Sequence, residues 1–107
     1  MSVEDHYILE GHEVKAVDMM TWARWLQTAR QDRVVARTTV MEGVDVSTVF
    51  LGLDHRFGED GPPLIFETMV FGGQHDQDMQ RYSTWDEAEA GHKRMCEMLK
   101  EKAEHNA

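Results

Sequence analysis

The sequence predicts an α+β fold: an antiparallel β-sheet with two helices packed on one face, a two-layer sandwich. Three observations lead to it. Two stretches, Met19 to Ala29 and the run from Thr84 onward, repeat apolar residues at three- and four-residue spacing, the helical period. The residues between them fall into β-branched and aromatic runs that alternate at the strand period. Most of the connections are short and glycine-containing, as antiparallel pairing allows, so the order is two strands, helix, three strands, a short edge strand and helix.

Taken in order, Tyr7 to Val17 (YILEGHEVKAV) reads as a short hairpin turning at Gly11. Asp18 then sits where a carboxylate accepts the free N–H groups of a first helical turn. In the helix that follows, Met19, Trp22, Trp25, Leu26 and Ala29 share a face, with Arg24, Gln27 and Gln31 on the other. Arg33 to Val40 (RVVARTTV) and Val44 to Leu53 form a hairpin around Met41-Glu42-Gly43. Val44–Leu53, toward its far end, and Leu64–Phe71 carry apolar residues on both alternating faces, which predicts two central strands, covered on both sides there. Gly72-Gly73 ends the latter, and the polar QHDQDMQ leads to an edge strand around Gln80-Arg81-Tyr82. Thr84-Trp85-Asp86-Glu87 has the spacing of a capping box, which opens the second helix. Ala88, Gly91 or His92, Met95, Leu99 and Lys102 or Ala103 keep its period, Gly91 permits close approach to the sheet, and the tail from about residue 100 is expected to fray.

With 107 residues, 41% of them hydrophobic, the chain fits one domain over 1–107 that buries a core without disulfides. No run approaches the ~20 apolar residues of a membrane span. The start, MSVEDHYILEGHE, is acidic where a signal peptide needs a basic and then apolar segment, so a cytoplasmic location is expected. The single cysteine, Cys96, fits a reducing compartment. A net charge of −9 argues against general binding to nucleic-acid backbone. That charge is uneven: nine acids stand in residues 42–86 against Arg56 and Arg81, whereas residues 22–41 hold Arg24, Arg30, Arg33 and Arg37 against Asp32. Such an acidic side serves solubility or meets a basic protein partner.

The connection LDHRFGEDGPP is long for a hairpin, and it makes Asp54, His55, Arg56 and Phe57 contact candidates. Asp54 and His55 could act as an acid and base or bind a cation, and the plainer reading of each is a hydrogen bond that caps the loop. Glu67 interrupts LIFETMVF, so it needs a partner (Arg33, Arg37, Arg81 or His92) or faces an open cleft. Trp25 and Trp85, with Arg24 nearby in sequence, are candidates for a pocket or interface, whereas Trp22 is expected in the core. Six histidines occur without H-x-x-x-H, H-E-x-x-H or C-x-x-C spacing, and no phosphate loop, dinucleotide fingerprint or G-x-S-x-G elbow is present. No metal or cofactor is expected, and Cys96 lacks the surroundings of a catalytic thiol.

The segments STVFLGLDHRFG, GPPLIFETMVFGG and RYSTWDEAEAGH, with the W-A-R-W helix at Trp22–Trp25 preceding them, together resemble a family of small phage- and prophage-encoded proteins without assigned function. The likeness spans roughly Tyr7 to Met95. It implies an accessory role in the host cytoplasm and no catalytic residues. Two functions are compatible with these features. The first is stoichiometric binding to a host protein, as an anti-defence inhibitor. The second is a small-ligand protein that sequesters or hydrolyses a nucleotide, with Glu67, Asp54 and His55 as acids and bases and Arg24 or Arg37 for phosphate. Exposed strand edges also permit a homo-oligomer.

Overall fold

The computed structural model describes residues 6–54 and 61–105. Its elements are β1 (His6–Glu10), β2 (Glu13–Val17), α1 (Met19–Thr28), β3 (Val34–Met41), β4 (Val44–Phe50), β5 (Phe66–Phe71), β6 (Met79–Tyr82) and α2 (Trp85–His105). The strands form two antiparallel sheets, the hairpin β1–β2 and a four-stranded sheet in the order β3-β4-β5-β6. The fold class is α+β, as predicted, and α2 packs along the four-stranded sheet. The hairpin stands apart from that sheet but is tied to the chain after β4: Tyr7 N–H donates to the Gly52 carbonyl at 2.9 Å, and His6 bridges Leu53. Gly52 has φ +81°, and a Cβ there would come within 2.8 Å of Trp22 Nε1, so this junction requires glycine.

Both helix starts follow from their caps. The Asp18 carboxylate accepts the Thr21 N–H at 2.8 Å, and this bond, with the field of Arg24 behind it, holds its pKa below the ordinary value. At α2 the Thr84 hydroxyl accepts the Glu87 N–H at 3.1 Å. The reciprocal bond goes from Ser83 N–H to Glu87 Oε1 at 3.0 Å, one residue earlier than a standard box has it. Helix α2 continues to His105 where fraying was expected from about residue 100. Its second half still has a sheet-facing side, since Leu99 is buried and Ala103 half-buried, and packing of that side sustains a helix beyond its propensity.

One face of the sheet holds the core. Phe50 and Phe66 are paired across β4 and β5, as are Thr48 with Thr68 and Val46 with Val70. All six are fully buried. They contribute to two apolar clusters: Leu9, Phe50, Ile65, Phe66, Tyr82 and Ala88 at one end, and Val46, Val70, Cys96 and Leu99 at the other. Trp25 of α1 meets Phe50 edge-on at 5.6 Å between ring centroids, and Trp85 meets Phe66 edge-on at 6.3 Å, so both helices reach this same face.

The row between the clusters is polar. His92, 5% exposed on α2, inserts its ring between two strands: Nδ1 lies 2.8 Å from the Thr48 hydroxyl and Nε2 2.8 Å from that of Thr38. Thr48 in turn meets Thr68, and the Tyr82 hydroxyl donates to Thr68 at 3.1 Å. A neutral ring protonated at Nε2 gives the chain one direction, Tyr82 to Thr68 to Thr48 to Nδ1, and then Nε2–H to Thr38. Burial accordingly lowers the His92 pKa from 6.5, because a charged imidazolium loses its hydration here. Gly91 lets α2 settle this close: a Cβ there would overlap the Tyr82 ring.

Candidate functional site

The opposite face of the four-stranded sheet has no covering layer among the described residues. The pairing rows place Val49, Glu67 and Arg81 across it, then Arg37, Ser47, Met69 and Met79, then Thr39, Asp45 and Phe71. The expectation that β4 and β5 are covered on both sides is therefore wrong. Val49 and Met69 are only half-buried, while Phe71 is 48% and Met79 47% exposed. Apolar residues on both alternating faces normally mark a strand between two layers, and here no second layer is found among the described residues.

Within this face, Glu67 has the partner its setting demands. Register puts it directly opposite Arg81, whose Nε donates to Glu67 Oε2 at 3.1 Å, with the Arg81 and Glu67 side chains still 26% and 15% exposed. Arg33 and His92, two of the other possible partners, lie elsewhere: Arg33 Nε bonds the Phe50 carbonyl at 3.2 Å, and His92 faces the covered side. Asp45 accepts from the Thr39 hydroxyl at 2.6 Å. Arg37, exposed, makes no ion pair among the described residues. With Asp45, Ser47 and Phe71 it lines a hollow of about 280 Å³. The face thus joins half-exposed apolar side chains to two cations and two acids that balance, on a chain whose net charge is −9. Such a surface suits contact with another protein: an apolar centre to bury and fixed polar groups to set orientation.

The remaining candidates do not converge on it. Asp54 accepts the Leu64 N–H at 3.1 Å, closing the base of the connection it begins. His55, Arg56 and Phe57 lie outside the described residues. Arg24 is exposed on α1, and Trp25 is part of the core packing. Trp85 does line a cleft, of about 390 Å³, together with Leu9, Gly11, His12, Gln31, Asp32 and Val34. Its indole face is stacked by His12, with ring centroids 3.7 Å apart and planes within 7°. The residues named for nucleotide chemistry are thereby divided: Glu67 and Arg37 stand on the open face, Arg24 on α1 and Asp54 at the base of its connection. Sequence reasoning missed His12, which sits in a hairpin turn and whose partner is remote in the chain. It also missed the Thr38–His92–Thr48 network, for which only the alternation of Thr48 and Thr68 was a signal.

No helix is long and apolar enough to cross a membrane among the described residues. Compared with known proteins, the chain matches no family model, no curated protein and no solved structure.

Proposed function

We propose that this chain is a small phage or prophage accessory protein that works by stoichiometric binding, as an anti-defence inhibitor of a host protein in the cytoplasm. Its contact surface is the open face of the β3–β6 sheet. The observation that carries this reading is the single missing layer: Val49, Met69, Phe71 and Met79 stand where a second layer would cover them. Burying the exposed half of Phe71 alone is worth roughly 1 kcal/mol. The Glu67–Arg81 pair and the Arg37–Asp45 corner supply oriented polar contacts at the rim.

The test compares retention of host proteins on the immobilised wild type, on the double variant Met69→Asp/Phe71→Asp, and on Gln27→Asp as a charge control on exposed α1. Wild type and control are expected to retain the same host protein, and the double variant to lose it. Equal retention on all three, or no retention beyond a charge-matched unrelated protein, would contradict the proposal.

A further inference from the structure

The edge of the four-stranded sheet at β6 is built to pair with itself. While the Asp78 N–H donates to the His75 carbonyl in the preceding turn, the carbonyls of Asp78 and Tyr82 accept from Val70 and Ile65, so these carbonyls and, by alternation, the backbone groups of Gln80 turn toward β5. By strand alternation those of Met79 and Arg81 turn outward, where no strand lies among the described residues. The sheet's other edge differs. Strand β3 breaks register twice, between Val34 and Ala36 and between Thr39 and Met41, and such bulges twist an edge away from further pairing. From Met79 to Tyr82 the register of β6 on β5 is unbroken. The strand has no proline and no lysine, and its one charged side chain, Arg81, is drawn back onto Glu67.

We infer that β6 pairs antiparallel with β6 of a second copy, about a two-fold axis at Gln80. Register is fixed by which groups face outward. Met79 of one copy opposes Arg81 of the other, and each pair exchanges two N–H···O=C bonds, four across the axis. Gln80 and its symmetry mate meet side by side at the axis. Beside the edge, Asp78, Gln80, Arg94, Met95 and Met98 line a hollow of about 370 Å³ between β6 and α2. The flexible thioethers there adapt to the second copy's edge. The hollow carries one acid and one base, Asp78 and Arg94, so two copies meet with balanced local charge although each carries −9. The axis is perpendicular to the sheet, so an eight-stranded sheet results with both open faces on one side and both α2 helices on the other. This inference stands on the strand edge and does not need the open face to bind a host protein.

The mass of the full chain in solution, by light scattering over a concentration series, is expected to reach twice 12.4 kDa. Amide hydrogen exchange reads the edge itself: Met79 and Arg81 N–H groups, which face solvent in a single copy, are expected to become protected at concentrations where the dimer forms and to lose that protection on dilution. Gln80→Lys places like charges side by side at the axis without touching the β5 ladder, and it should shift the dimer to higher concentration. Met79→Pro removes an outward N–H and should leave a folded monomer. A wild type of 12.4 kDa at every concentration would overturn the inference, as would a dimer in which the Met79 and Arg81 amides exchange freely, or one that Gln80→Lys leaves undiminished.

Discussion

The two faces of the four-stranded sheet are made from the same strands, yet they satisfy their polar groups in opposite ways. On the covered face, polarity is neutral and closed: Tyr82, Thr68, Thr48, His92 and Thr38 form one chain between two apolar clusters, sealed by α2. On the open face it is ionic and left within reach of solvent, as Glu67 with Arg81 and as Arg37, beside Asp45 and without an ion pair among the described residues. A neutral network suits a dry layer because it has no net charge to desolvate, whereas an ion pair tolerates a half-wet surface. The difference separates two tasks: the first face specifies how α2 seats on the sheet, and the second is the proposed contact surface.

The largest expected effect of breaking this contrast is His92→Ala. It leaves the Thr38 and Thr48 hydroxyls short of a partner and opens a cavity under α2, for a loss of about 3–5 kcal/mol in urea-denaturation stability. Gly91→Ala comes next. The added methyl meets the Tyr82 ring, which is itself held by Thr68, so overpacking of about 1–3 kcal/mol outweighs the propensity gain of roughly 1 kcal/mol.

Acid sharpens the comparison without any mutation. The folded His92 has a pKa below 6.5, so the unfolded chain takes up its proton first as pH falls. Stability is complete above 6.5 and is lost as pH drops from there toward the folded value, by at most about 1.4 kcal/mol per pH unit from this group. Denaturation series at several pH values should show that slope in the wild type, and it should be missing in His92→Gln. The Glu67→Gln exchange on the open face should cost no more than about 1 kcal/mol, because its pair with Arg81 is partly solvated. Phe71→Asp should cost a similar amount, about 1 kcal/mol, since half of the ring is already buried in the fold and Asp45 stands directly opposite.

What could be read in advance divides along the same line. Local signals carried their information well: the carboxylate at Asp18, the Thr84-Trp85-Asp86-Glu87 spacing, the Gly91 contact and Glu67's need of a partner all reappear in the structure. Register decided that Arg81, fourteen residues on, is that partner. His92 was invisible as a network residue because its partners are 44 and 54 residues away, and threonines in strands read as ordinary β-formers. The open face was misjudged for a physical reason. Alternating Val49, Met69 and Phe71 look the same in sequence whether a layer of the protein's own chain covers them or a different molecule does. The separate β1–β2 hairpin likewise follows from which edges meet, which strand composition does not encode.

The most direct test of the open face as contact surface is methionine methyl spectroscopy of the labelled protein in host lysate. The methyl groups of Met69 on that face and of Met95 and Met98 against the core cluster are reporters within one spectrum. Broadening or shift of Met69 with Met95 and Met98 unchanged, reversed by Phe71→Asp, is the predicted result. An unchanged Met69 alongside perturbed reporters elsewhere would contradict it.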